Sequence, residues 1–325
     1  MAYEDVGVVV IGRNEGARLI RCLESLAPCR GALVYVDSGS TDGSIEAAER
    51  LGAHVVKLDL SRPFTAARAR NAGYDALKAL KPGVPFVQFV DGDCELATGW
   101  IDTARAFLRS RPDVAVTCGR RRERYPEASL YNRLCDDEWD MPVGEALACG
   151  GDSLMRAGAF DDVGGFRPEL IAGEEPELCV RLRQRGCKIW RLDAEMTLHD
   201  AAMTRFGEWW RRTVRAGFAF AAVSRLHRGS PQGIWRREVR RAVLWGGVFP
   251  VIIGLGALLH PAALLAALIY PVQVARIATR RNWAAPQSWI YAAFVMLAKL
   301  PELQGLAQFA ALRLSGKSAG LIEYK

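Results

Sequence analysis

From Ala242 to Ala275 the chain carries no Asp, Glu, Lys or Arg. A surface helix of a water-soluble domain needs a polar face, so this run constrains the fold more than any other feature. One membrane crossing takes about 20 apolar residues. The run exceeds one crossing, is short for two full crossings with a turn, and is broken midway by "LLHPAAL" (258–264). Both flanks are basic, "RREVRR" before and "ARIATRR" after. Lys and Arg concentrate on the cytoplasmic side of membrane helices, so both ends are expected on that side. A helical hairpin, spanning or re-entrant, satisfies this better than a single crossing. Trp209, Trp210, Trp235, Trp245, Trp283 and Trp289 suit an interfacial belt. The closing segment "SWIYAAFVMLAKLPELQGLAQFAALRL" is interrupted by Lys299, Pro301 and Glu302 and reads as an interfacial helix. The competing reading is a helical subdomain buried in a dimer.

The first two-thirds has another grammar. Short apolar runs alternate with helical segments: "VGVVVIG" (6–12), then "NEGARLIRCLESLAP", "ALVYVDSGS", "TDGSIEAAERLG", "AHVVKLDL", "ARARNAGYDALKAL", "PFVQFV", "WIDTARAFLRSRP" and "VAVTCGRR". Strands that alternate with helices imply an α/β layer with a mainly parallel central sheet and flanking helices. Ligands of such sheets sit at the carboxyl ends of the strands. "MAYEDVGVVVIG" has acids before its apolar run, so it reads as a first strand and not as a signal peptide. The eight cysteines form no CxxC pair and read as reduced thiols. The net charge of +7 fits an anionic partner. The Arg residues of 205–241 lie beside the apolar tail, so an anionic membrane surface explains them and nucleic acid is not expected.

Four places after strands carry candidate chemistry. Asp37 ends "VYVDSGSTDGS", where a turn-capping acid and a nucleobase-binding carboxylate are both open readings. Asp91 and Asp93 end "VQFVDGD". Like charges this close repel, and a divalent cation is a natural compensation, although an Asp-Gly turn needs none. Glu174, Glu175 and Glu177 open the segment "GEEPELCVRLRQRG", where acids favour a helix N-terminus and a general base would also sit well. His199, in "MTLHD", is a structural histidine or a nitrogen ligand for Mn²⁺.

In this order, "VVVIGRNEGARLIRCLESL", "VYVDSGSTDGS", "ARARNAG", "VQFVDGDCEL", "ACGGDSLMRAGAFDDVGGF", "GEEPELCVRLRQRG" and "LHD" resemble family 2 of the glycosyltransferases, inverting enzymes with the GT-A fold. The resemblance runs from Val6 to about Asp200. It implies that Asp37 contacts the base of a nucleotide-sugar and Asp91 its ribose region. Asp93 would hold Mn²⁺ or Mg²⁺ at the diphosphate, with His199 completing the coordination. Arg70 would lie near the nucleotide with Asn71 behind it, and Gly12, Arg13 and Asn14 would pass under the base. The family's base is usually the Asp of a Glu-Asp pair. Here the aligned residue is Glu175 after Glu174, which leaves both as candidates. Processive members carry Gln-x-x-Arg-Trp, whereas this chain has only "EWWRR" near 208–212, so polymer synthesis is not implied.

The expected organisation is a nucleotide-sugar glycosyltransferase domain over 1–204, basic Trp-rich interfacial helices over 205–241, and a membrane hairpin with a terminal interfacial helix over 242–325. The expected activity is transfer from a nucleotide-sugar, leaning to UDP, to a lipid-linked or saccharide acceptor. Its expected place is the cytoplasmic face of the inner membrane, in cell-envelope or exopolysaccharide assembly. The alternative is a non-catalytic nucleotide-sugar-binding scaffold.

Overall fold

A computed structural model describes residues 3–315, so the last ten residues of the expected terminal helix, 316–325, lie outside it. The chain divides into two compact units, Met1–Thr204 and Arg205–Lys325.

The first unit is one mixed sheet with helices around it. Its strands are β1 (Val6–Gly12), β2 (Leu33–Asp37), β3 (His54–Lys57), β4 (Phe86–Asp91), β5 (Cys94–Leu96), β6 (Val114–Glu123), β7 (Gly144–Ala146), β8 (Ser153–Arg156) and β9 (Lys188–His199). Their order is β3-β2-β1-β4-β8-β6-β9-β5, with β7 on β9. The half built from β1 to β4 is parallel; β1, β2 and β4 are the largely apolar runs that burial on both faces demands, and β3 at the edge is partly exposed. The other half is mixed: β8 runs antiparallel to both β4 and β6, and β5 and β7 run antiparallel to β9. The sequence offers less warning there, because β5 and β7 are three residues each and too short to show a period.

Helices α1 (Ala17–Ser25), α2 (Ser44–Arg50), α3 (Ala66–Leu80) and α4 (Trp100–Ser110) fill the early crossovers. Then come α5 (Leu130–Glu138), α6 (Ala157–Asp162) and α7 (Glu174–Gln184). Two details of α3 matter to the site. Thr65 caps it by accepting the Arg68 backbone N–H at 3.1 Å. Gly73 presses it onto the sheet, where any Cβ would collide with Val9 and Val36. That contact fixes α3 against β1 and brings Arg70 to the carboxyl edge.

The second unit is helical. It begins with α8 (Phe206–Leu226) and continues through three helical runs, Arg236–Leu259, Pro261–Arg281 and Pro286–Ser315. Each run is long and apolar enough to cross a membrane, with mean hydropathies of 2.2, 1.6 and 1.2. Helix α8 lies against the third run, where Gly217 and Gly305 meet the facing backbone with no room for a side chain. Trp210 Nε1 donates to Gln304 Oε1 at 2.8 Å across the same contact. Lys299 and Glu302, the charges that interrupt the apolar pattern of this run, pair with one another at 2.6 Å.

Candidate active site

Register alone assembles most of the site. Gly12 pairs with Asp37 and Ile11 with Asp91, so β1, β2 and β4 end side by side. Strand order reverses at β1/β4, the switch point where open α/β sheets bind ligands. Farther along, Cys94 and Glu123 both pair with His199, which places Asp93, Glu123 and His199 at one spot.

At the β1/β2 end, the carboxylate of Asp37 is almost fully buried. It accepts the backbone N–H groups of Gly39 and Ser40, both at 2.9 Å, and the Tyr35 hydroxyl at 3.1 Å. Burial and the neighbouring Asp37 push the Tyr35 phenol up. Asn14 sits at φ 56° and staples the two loops. Its backbone N–H donates to Ser40 Oγ at 2.9 Å, and its side-chain oxygen accepts the Thr41 N–H at 2.8 Å. Gly12 accepts the Ser38 N–H at 3.1 Å, and Arg13 lies over the Phe64 ring.

The β4 end is ionic. Arg70, 2% exposed, donates through Nη2 to Asp91 at 2.7 Å and through Nη1 to Glu174 at 2.8 Å; Nη1 also lies 2.9 Å from Glu175. Arg121 of β6 reaches the other oxygen of Asp91 at 3.1 Å and holds Asp152 at 2.7 Å. Asp152 is fully buried and also accepts the Thr197 hydroxyl at 2.8 Å and the Asp91 backbone N–H at 3.0 Å. Burial works against both guanidiniums, but the surrounding carboxylates outweigh it and raise their pKa values. Burial likewise works against ionised Asp91, and Arg70 and Arg121 outweigh it and hold its pKa low. Asn71 brackets the Phe166 backbone with two hydrogen bonds, 2.7 and 2.9 Å, and the Phe166 ring faces the Arg70 guanidinium.

Glu174 and Glu175 form the first turn of α7, where the helix dipole favours acids. They differ in environment. Glu174 is 3% exposed and bonded to Arg70, whereas the Glu175 side chain keeps 13% exposure. Burial, then the charge of Glu174, raise the Glu175 carboxyl to about 7 despite Arg70. The backbone of Gly151 closes over this group. A Cβ there would lie 2.6 Å from Arg70 Nη2, 2.7 Å from Asp91 Oδ2 and 3.1 Å from Glu175 Oε1.

Asp93 and His199 are both nearly buried, with His199 Nε2 3.4 Å from Asp93 Oδ2. His199 Nδ1 faces Glu123 at 3.6 Å, and the edge of Trp139 meets the imidazole ring. Burial pulls the imidazole pKa down, but Asp93 and Glu123 outweigh it. A carboxylate and an imidazole converging on one point, with a second carboxylate behind the imidazole, fit a divalent ion that accepts nitrogen as well as oxygen. Cys94 lies within the same small cluster, but burial drives its thiol well up, so it stays protonated.

The structure therefore gathers Arg70, Asp91, Glu174 and Glu175 into one cluster and Asp93 with His199 into a second, and holds Gly12, Asn14 and Asp37 at the adjoining strand ends. The sequence reading missed Arg121, Glu123, Trp139 and Asp152. Its available signal was the run "GRRRE" closing a strand, an odd place for three arginines unless acids wait for them. Asp152 stood inside "ACGGDSL" with no role assigned. Glu95, also without a role, pairs with Arg124.

A parallel half-sheet meeting a mixed half is the mixed α/β layout of the GT-A fold. Residues 7–154, a little under half of the chain, match the model for glycosyl transferase family 2. The chain is 28% identical over 245 residues to the pre-mycofactocin glycosyltransferase of Mycobacterium tuberculosis, covering 70% of this chain and 49% of the relative. It is 27% identical over 206 residues to the succinoglycan biosynthesis protein ExoA of Rhizobium meliloti, covering 57% and 60% respectively. The chain thus spans about half the length of the mycobacterial relative. Among solved structures, a mannosyltransferase from Pyrobaculum calidifontis in complex with GDP-Man and Mn²⁺ superposes with a TM-score of 0.59 at 19% identity, covering 90% of this chain and 86% of that one. That likeness is one of fold.

Proposed function

We propose that the protein transfers a sugar from a nucleoside-diphosphate sugar to an acceptor hydroxyl, with inversion, at the cytoplasmic face of the inner membrane. The observation that carries this reading is the Arg70 bridge between Glu175 and the strand-end acid Asp91. A carboxyl that titrates near 7 and keeps a little exposure is suited to take a proton from a hydroxyl at neutral pH. Glu174, buried and spent on Arg70, is less suited, so Glu175 is the base of this proposal.

Asp93 and His199 would hold Mn²⁺ or Mg²⁺, with the nitrogen donor favouring Mn²⁺. Such an ion supplies charge neutralisation for a departing diphosphate. Glu123 keeps the His199 ring oriented so that Nε2 faces Asp93. Asp37, with Asn14 and Gly12, would receive the base, and Asp91 would face the ribose. Glu175 deprotonates the attacking oxygen, and attack from the face opposite the leaving group inverts the anomeric centre without a covalent intermediate.

The apolar helices and basic flanks support an acceptor carried by the membrane, such as a lipid-linked sugar, in cell-envelope or exopolysaccharide assembly. The test is a panel of UDP-, GDP- and dTDP-sugars with Mn²⁺ or Mg²⁺ and with lipid-linked or soluble acceptors. Nucleoside diphosphate release and the anomer of the product are scored. Asp93→Ala is expected to lose metal-dependent turnover by about 10³-fold or more, the scale of removing a key transition-state contact. Glu175→Gln is expected to keep donor binding and lose transfer. Full transfer by Glu175→Gln, with loss in Glu174→Gln, would reverse the assignment of the base. Preference for a water-soluble acceptor would sink the lipid-linked one.

A further inference from the structure

We propose that Arg70 acts on the reaction as a positioning residue, by fixing Glu175 against Asp91, and does not touch the donor. This deepens the proposed transfer reaction and rests on Glu175 being its base. Both terminal nitrogens of the guanidinium are taken. Nη1 serves Glu174 and Glu175, Nη2 serves Asp91, and the Phe166 ring lies 5.7 Å from its centre. The Gly151 backbone crowds Nη2, and Nε is buried without an acceptor among the described residues. A phosphate or ribose would have to displace a carboxylate to reach Nη1 or Nη2. The helix that carries Arg70 is pinned by Gly73 on the sheet and by Asn71 on Phe166, so the side chain is held from both ends.

The charges facing Glu175 make the consequence specific. Glu174 lies on its own helix, Arg70 on α3 and Asp91 on β4, and behind Asp91 stand Arg121 of β6 and Asp152. Arg70 is the cation in direct contact with Glu175. Without it, three carboxylates face one another, with Arg121 beyond Asp91. The protonated form of Glu175 is then favoured, and the base is ionised only at higher pH.

The experiment is a ¹³C NMR titration of Glu-labelled full-length protein in detergent micelles, with the Glu175 carboxyl assigned by its loss in Glu175→Gln. It needs no turnover, so its outcome is separate from that of the transfer assay. The native midpoint is expected at about 7. Arg70→Met is expected to raise it by about one unit or more, the scale of losing an opposite charge in contact. The acid limb of kcat/KM should rise with it. Binding of UDP and of GDP, each with Mn²⁺, should change by less than about threefold, a difference under 1 kcal/mol. If Arg70→Met does not fold, Arg70→Lys gives the same reading with a smaller rise, because an ammonium cannot reach three carboxylates in fixed directions. An unmoved Glu175 midpoint in the variant that folds, or nucleotide affinity lowered about tenfold or more, overturns the proposal.

Discussion

Asp37 and Asp91 end strands that flank β1 on either side, at the same edge of the same sheet, yet they are held by opposite means. Asp37 is held by its own turn, through two backbone N–H groups and a phenol two residues back. Asp91 is held by two arginines from distant elements, α3 and β6. The first arrangement is local and neutral in its donors, so a change there is felt mainly in one loop. The second ties five segments of chain into one charge balance, so a change there is felt by every member. The acid at the β2 end is built like a hinge pin and the acids at the β4 end like a network.

The largest effect should come from cutting the network at its most buried anchor. Asp152 neutralises Arg121 from a fully buried position and holds the Asp91 backbone and Thr197. Asp152→Ala leaves Asp91 as the carboxylate paired with Arg121. Breaking one side of a buried ion pair costs about 3–5 kcal/mol. Urea unfolding of the full chain in detergent measures this. A loss below about 1 kcal/mol would mean that the network is solvated and no different in kind from an exposed ion pair.

A neighbouring pair of glycines separates crowding from charge. Gly151→Ala drives a methyl into Arg70, Asp91 and Glu175, whereas Gly150→Ala points into open space. Overpacking of this kind costs about 1–3 kcal/mol, and surface changes usually stay within about 0.5 kcal/mol. The two single variants should therefore differ in thermal midpoint, with Gly151→Ala also losing transfer. Equal behaviour of the pair would show that the loop gives way and that Gly151 does not shape the cluster.

The legibility of these two regions in sequence follows from the same contrast. The Asp37 side was readable because its partners lie within a few residues, so "VDSGS" contains nearly the whole arrangement. The buried parallel strands β1, β2 and β4 were readable as largely apolar runs. Asp91 and Asp93 were visible as acids, and Glu174 and Glu175 as a pair, but their cations were not. Arg121 and Asp152 meet only because β6 and β8 are paired antiparallel, which no local pattern announces. Arg70 was seen, but its partners are up to 105 residues away, so its neighbourhood could not be read from its motif. In the second unit composition announced apolar helices. It did not show that Lys299 and Glu302 satisfy one another within a helical run from Pro286 to Ser315. Two charges that break a hydropathy pattern need not break the helix when they stand three residues apart.

The smallest effect tests the other side of the contrast. Asp37→Asn keeps one carbonyl oxygen, and the Gly39 and Ser40 N–H groups both point at a single oxygen of the native carboxylate. The amide can retain those bonds and loses only its acceptor for the Tyr35 hydroxyl, which is worth about 0.5–1.5 kcal/mol. Folding should therefore survive with a modest drop in thermal midpoint. Asp91→Asn, by contrast, withdraws the charge shared by Arg70 and Arg121 and should cost several times more. Unfolding curves of the two variants side by side decide the matter: if Asp37→Asn is as damaging as Asp91→Asn, the turn at β2 is part of the charge network and the distinction between the two strand ends fails.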